Sequence, residues 1–374
     1  MQLTRGIGIL ALAMLMVLLK GCPTGPIEEP PGSQETATSD NVKELVNNVP
    51  EAGPEKGAPE PSAEKPGGDK GTAQLHPLMK EVDGKKYEKD LAFIAKPRIP
   101  GSPHWKAVQD LCASRFKELG FEVELHKYKT GVNVIGVKKG TKTPEERVLI
   151  SAHYDSVSNC DGADDNASGT AGVLEAARVL AKQDHDRTLV VACWDEEESG
   201  LIGSIAYATR VIANKEKLKM HFVLEMIGYY SDQPNSQTLP TGLDLLYPDQ
   251  SKAVQTNQNR GDFVALIGDT GAEPSAKLMS QYGEALGLNS IILTVPDALK
   301  TSPLIRDLRR SDHAPFWSVD IPAMMITDTS EFRYKPYHCR GGLKDTLEKL
   351  NTPFTTQIIQ VTVGAAVAAL NPTP

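Results

Sequence analysis

Nitrogen and carboxylate side chains at a few positions carry whatever chemistry this sequence can do. His153 follows the apolar run Val148-Leu149-Ile150-Ser151-Ala152, the acidic run Asp195-Glu196-Glu197-Glu198 follows Leu189–Trp194, and Glu225 follows Phe222-Val223-Leu224. Asp164-Asp165-Asn166 sits in a glycine-flanked turn, and His338 comes late in the chain. Each has a plain structural reading when taken alone. His153 would be a satisfied core histidine, the acidic run a solvated helix start favoured by the helix dipole, and Asp164-Asp165-Asn166 a turn. Their placement at successive strand ends argues otherwise, because ligands of open α/β sheets collect outside the carboxyl ends of the strands. Two histidines and three carboxylates form a hard-to-borderline N/O donor set suited to Zn²⁺. Other chemistries lack their residues: residues 75–374 hold no HExxH, no GxSxG elbow, no Walker loop and no GxGxxG after a strand.

The elements that must position these groups alternate. Residues 103–119 repeat apolar side chains at helical spacing and stop at Gly120. Strands are expected at 123–128 and 132–137, then at 148–152, 189–194 and 222–224. Helices are expected at 168–181 and 201–213 between them. Further strands are expected near 263–267, 291–295 and 323–326, and an amphipathic helix near 352–370 closes the chain. Continuous apolar strands separated by helices indicate a sheet covered on both faces. The expected fold class is α/β, a three-layer α/β/α sandwich around a mostly parallel mixed sheet.

The remainder of the chain reads differently. Residues 1–22 place Arg5 before an apolar run of about 13 residues, short of the roughly 20 that span a bilayer. Leu19-Lys20-Gly21-Cys22 resembles a bacterial lipobox that lipidates Cys22, although Lys20 departs from the usual small or apolar residue; a plain signal peptide is the other reading. Residues 23–74 hold no aromatic side chain, nine prolines, seven glycines and ten acidic residues against four lysines. Such a segment cannot bury enough apolar surface to offset its ordering entropy and is expected to be a disordered tether. That leaves one domain over 75–374. An exported protein held to a membrane through Cys22, facing the periplasm or cell exterior, is the expected setting. The net charge of −8 and pI near 5.6 argue against nucleic-acid binding. Cys112 and Cys193 lie in apolar contexts and read as buried thiols. Cys160 and Cys339 flank candidate site residues, and both a bridge and two free thiols are open.

The motifs resemble one family. His153-Tyr154-Asp155-Ser156, Gly162-Ala163-Asp164-Asp165-Asn166-Ala167-Ser168-Gly169, Trp194-Asp195-Glu196-Glu197-Glu198-Ser199-Gly200 and Glu225-Met226-Ile227-Gly228-Tyr229 look like successive motifs of the co-catalytic di-zinc exopeptidases. That family comprises bacterial leucyl-type aminopeptidases together with glutamate carboxypeptidase and the glutaminyl cyclases. Arg98–Pro103 is similar to its opening signature, and Tyr337-His338 with Asp345-Thr346 to its last motif. The resemblance implies two Zn²⁺ per chain, one held by His153, Asp165 and Glu225 and the other by Asp165, Glu198 and His338. It also implies Glu197 as general base, Asp155 as the carboxylate orienting a histidine ligand, and Tyr337 as a hydrogen-bond donor to the oxyanion. A cis Asp165–Asn166 peptide is a further implication. Many members carry aspartate where Glu225 stands. The implied activity is peptide-bond hydrolysis, as an aminopeptidase releasing N-terminal residues from a peptide or aminoacyl substrate. A glutaminyl-peptide cyclase with one zinc and an inactive peptide-binding lipoprotein are the alternatives.

Overall fold

The computed structural model of the protein describes residues 74–372. The Cys22 lipobox and the tether expected over 23–74 lie outside the described residues, apart from Gln74. Eight strands form one mixed sheet: β1 (Glu122–Lys127), β2 (Val132–Lys138), β3 (Thr143–His153), β4 (Arg187–Trp194), β5 (Lys217–Leu224), β6 (Phe263–Asp269), β7 (Asn289–Val295) and β8 (Ala323–Thr327). Their order is β1-β2-β4-β3-β5-β8-β6-β7. The pairs β3–β4, β3–β5, β5–β8 and β6–β7 are parallel, while β1–β2, β2–β4 and β6–β8 are antiparallel. The fold is α/β, as the alternation of elements implied.

The longer helices are α1 (Gly84–Ile94), α2 (Pro103–Glu118), α3 (Gly169–Leu180), α4 (Ile202–Ala213), α5 (Pro248–Thr256), α6 (Glu273–Leu286) and α7 (Thr352–Leu370). They divide into two layers, and the central strands show why their sequences are continuously apolar. On β3, Val148, Ile150 and Ala152 join one hydrophobic core, while Leu149 joins the core on the opposite face. On β4, Leu189, Val191 and Cys193 face the first core, and Val190, Ala192 and Trp194 the second. Successive strand side chains point to opposite faces, so a strand covered on both sides has no polar face to show.

The closing helix corrects an expectation. It is not amphipathic: Phe354, Ile358, Ile359, Val361, Val363, Ala366 and Leu370 are all buried, leaving no continuous polar face. α7 is long and apolar enough to cross a membrane by composition, but 67% of that stretch is buried within the fold. Its all-round apolar sequence belongs to a core helix. The small residues of α3 have a packing cause as well. A side chain at Gly172 would come within 2.9 Å of Leu224 Cδ1, so the helix lies directly on the end of β5 that precedes Glu225.

Candidate metal centre

β3 and β5 are adjacent and parallel, and they deliver His153 and Glu225 to one edge of the sheet. His153 is 1% exposed, and its Nε2 lies 3.4 Å from Glu225 Oε2 and 3.4 Å from Asp165 Oδ1. Asp155 lies beneath the ring, with Oδ1 3.3 Å from His153 Nδ1. The same carboxylate accepts the backbone N–H groups of Glu197 (3.1 Å) and Glu198 (3.2 Å). One buried residue therefore fixes a histidine and the two glutamates that face it.

Asp165 comes from the turn Ala163–Ser168, which continues into α3. Its peptide bond to Asn166 is cis, as the resemblance implied. Three groups hold the turn. The Arg98 guanidinium, fully buried, donates to the carbonyls of Asp161, Gly162 and Asp165 at 2.6, 2.9 and 3.2 Å. The Asp345 carboxylate accepts the N–H groups of Asp164 and Asp165 at 2.9 and 3.0 Å. Asn166 donates to the Leu224 carbonyl at 2.9 Å and accepts from Met226 N–H at 3.1 Å, tying the turn to both neighbours of Glu225.

The acidic run separates into four tasks. Asp195 is buried and structural, accepting from Trp105 Nε1 at 2.7 Å and Val132 N–H at 2.9 Å. Glu196 sits at φ 56° and bonds the Thr130 hydroxyl at 2.5 Å. Glu198 Oε2 lies 3.2 Å from His338 Nε2, and Glu197 Oε2 lies 3.9 Å from His153 Nε2. His338 Nε2 is also 3.1 Å from Asp165 Oδ2. The Tyr337 ring stacks on His338 at 3.8 Å, and its hydroxyl accepts a hydrogen bond from Arg310 Nη2 at 3.0 Å. Cys339, next in sequence, is disulfide-bonded to Cys160; Cys112 and Cys193 are free and buried.

The structure thus brings together all eight residues singled out in the sequence. Asp165 spans two half-sites, with Oδ1 toward His153 and Oδ2 toward His338. The donor set fits metal. Four donors around a tetrahedral zinc, each about 2.0–2.1 Å from it, stand about 3.3–3.4 Å apart, and the spacings here are 3.1–3.4 Å. His153 Nε2, Asp165 Oδ2 and Glu198 Oε1 are buried without a hydrogen-bond partner, which a site built only for hydrogen bonding would not leave. Charge crowding agrees. Burial, reinforced by Glu225 and Glu198 against the opposing His153, pushes Glu197 well above the usual carboxylate range. Burial and the neighbouring Asp165 raise Glu198 to about 7. Burial opposes the charge on His338, yet its contacts with Asp165 and Glu198 outweigh that and raise it to about 9. Without a metal, protons must neutralise the cluster. Spacing alone would admit Glu197 as a ligand too, since donor atoms of His153, Glu197 and Glu225 lie within 4.8 Å of one another.

Sequence reasoning missed Arg310-Ser311-Asp312-His313. Ser311 donates to Glu225 Oε2 at 2.7 Å, and Asp312 is fully buried, raised to about 7 by that burial despite the nearby His153. The visible signal was a cluster of polar and ionisable residues running into the apolar Ala314-Pro315-Phe316-Trp317. A cleft opens beside Asp165, Glu197 and Glu225 and runs over Leu239, Leu243, Phe263, Ile291, Leu293 and Met325.

The family model for peptidase family M28 matches residues 133–366, more than half of the chain. The chain belongs to that family. Among curated proteins, it is 35% identical over 229 residues to "Uncharacterized protein YfbL" of Escherichia coli, covering 57% of this chain and 64% of that protein. It is 38% identical over 116 residues to "Aminopeptidase YwaD" of Bacillus subtilis, covering 30% of this chain and 25% of that one. The chain thus spans less than two thirds of these relatives' length. Two solved structures share the fold. An aminopeptidase from Aneurinibacillus sp. strain AM-1 superposes with TM-score 0.58 at 17% identity, covering 79% of this chain and 96% of the other. The Porphyromonas gingivalis glutaminyl cyclase gives 0.52 at 17% identity, covering 78% and 99%.

Proposed function

We propose that this M28 peptidase is a two-zinc aminopeptidase that releases N-terminal amino acids. The observation that carries the reading is Asp165, whose two oxygens face two histidines, each with its own second carboxylate. His153, Asp165 and Glu225 would hold one zinc, and Asp165, Glu198 and His338 the other. When bound, the metals polarise the scissile carbonyl and make a water acidic enough to serve as nucleophile near neutral pH. Glu197, whose Oε2 lies 3.9 Å from His153 Nε2, takes that water's proton and passes it to the leaving amine. Tyr337 accepts from Arg310, which leaves its own proton free to donate to the developing oxyanion. The apolar cleft beside the centre favours an N-terminal residue with a large apolar side chain.

The fold does not decide between aminopeptidase and cyclase, because solved examples of both share it. Two half-sites built alike favour the two-metal reaction. A panel of fluorogenic aminoacyl amides, assayed with and without a chelator and beside zinc counting, tests this. Chelator-sensitive cleavage of leucyl or phenylalanyl amide is expected. One tight zinc, no amide cleavage and cyclisation of an N-terminal glutaminyl peptide would sink it. The same proposal places the enzyme outside the cytoplasm, anchored through lipid on Cys22; complete partition of the expressed protein into the aqueous phase of a detergent split would remove the anchor.

A further inference from the structure

The two histidines of the centre are held in different ways. His153 is the last residue of an eleven-residue strand paired on both sides. His338 lies on no strand or regular helix. It and Cys339 take left-handed backbone conformations at φ 56° and 53°, and Gly341 and Gly342 follow at 64° and 76°. Two consecutive non-glycine residues in that region need their surroundings to hold them there. The backbone hydrogen bonds of this segment are local, from Tyr337 N–H to Tyr334, from Cys339 N–H to Pro336 and from Leu343 N–H to Arg340. Residues 340–344 are exposed.

Two ties run from this loop to the turn that carries Asp165. Cys339 is bonded to Cys160, which is 1% exposed and directly precedes the Asp161-Gly162 carbonyls gripped by Arg98. Asp345, fully buried, accepts the backbone N–H groups of Asp164 and Asp165 and the Tyr334 hydroxyl at 2.9 Å, while its own N–H meets Cys339 Sγ at 3.5 Å. The bridging carboxylate and the late histidine are therefore fixed to each other by one covalent and one hydrogen-bonded clasp.

We propose that Cys160 and Cys339 are positioning residues for His338, and that their disulfide builds the Asp165–Glu198–His338 half of the centre. This rests on the two-metal reading above. Only the bridged chain then holds both zincs tightly, and breaking the bridge frees the second one while His153, Asp165 and Glu225 keep the first. A water-soluble phosphine performs the break: the S–S bond is cleaved to two thiols, and the phosphine becomes its oxide with oxygen from water.

The test compares three samples of the full chain: oxidised wild type, phosphine-reduced wild type, and the double variant Cys160→Ser/Cys339→Ser. Each is dialysed against buffered Zn²⁺, zinc per chain is counted, and affinity is read by chelator competition. Two zincs are expected in the oxidised chain. In the other two samples one zinc stays and the second weakens by roughly 10–100-fold, the range for losing a group that orients a ligand. Reoxidation returns it. The retained zinc and an unchanged far-ultraviolet spectrum report an intact fold, and reduced wild type carries the test if the double variant does not fold. Two equally tight zincs in every sample would overturn the proposal, and so would simultaneous loss of both. Fewer than two in the oxidised wild type would instead overturn the two-metal reading.

Discussion

The centre has a half carried by strand ends and a half carried by loops. His153 and Glu225 stand at the ends of neighbouring strands whose spacing the sheet fixes. Glu198 and His338 stand on irregular segments, the first held by Asp155 through two backbone hydrogen bonds, the second by the disulfide and Asp345. Yet the donor spacings in the two halves differ by only 0.2–0.3 Å. Equal geometry thus has unequal support. Distorting the strand half means disturbing a core strand, whereas distorting the loop half means breaking a few named ties.

The largest effect should come where the halves meet. Asp165→Ala removes the carboxylate they share, so zinc content after dialysis should fall from two to none and activity below detection. Retention of one zinc would show that the halves bind independently, and that Asp165 serves one of them only.

Glu197 and Glu198 come next, adjacent and chemically alike but facing different partners. Glu197→Gln keeps size and shape while removing basicity, so both zincs should stay and turnover should fall roughly 10²–10⁴-fold, with substrate affinity little changed. Glu198→Gln should weaken only the loop half, and added Zn²⁺ should restore part of its activity. Metal content and turnover, measured on both variants, check the assignment. If Glu197→Gln loses zinc and Glu198→Gln keeps it, the ligand and the base are interchanged.

Much of the strand half was legible in the sequence, because a strand buried on both faces announces its end. The apolar runs Val148–Ala152 and Phe222–Leu224 end at His153 and Glu225, and the polar residue that ends each run emerges at the sheet edge. In the loop half the strand end pointed to the acidic run, but which of its carboxylates serves was legible only through likeness to known motifs. Nothing in Asp195-Glu196-Glu197-Glu198 distinguishes four carboxylates that end up in four settings. The supports were invisible for a different reason. Arg98, Asn166, Ser311 and Asp345 act across separations of 58 to 181 residues, and such contacts leave no local period. α1, α5 and α6 were missed as well; α5 is short and polar, while α1 and α6 do carry buried apolar stripes. α7 misled for the opposite reason, since a helix covered on nearly all sides shows no face to read.

A smaller effect should follow pH. In the metal-free loop half, His338 carries a proton below about 9 and Glu198 below about 7. Zinc must displace whichever protons are present. Affinity should therefore rise about tenfold per pH unit between 7 and 9, where one proton is released, and more steeply below 7, where two are. Chelator competition at successive pH values measures this, and a flat profile from pH 6 to 9 would remove those two groups from the ligand set.

The smallest effect is confined to the strand half and concerns its one departure from the family pattern. Glu225 is longer than the aspartate many members carry, but Ser311 pins Oε2 at 2.7 Å and leaves the carboxylate 3.4 Å from His153, the same spacing that Asp165 keeps. The extra methylene is thus absorbed by a hydrogen bond and need not displace the metal. Ser311→Ala removes that bond. Hydrogen bonds to charged groups contribute about 1.5–3 kcal/mol, and the zinc would recover part of that by holding the carboxylate itself, so roughly a tenfold weakening of the strand-half zinc is expected. The loop-half zinc should be unaffected. Glu225→Asp should lose the Ser311 contact by shortening, so the double variant Ser311→Ala/Glu225→Asp should be hardly weaker than Glu225→Asp alone. Additive losses in that pair would show that Ser311 acts on something other than Glu225, and the strand half would then be held by the sheet alone.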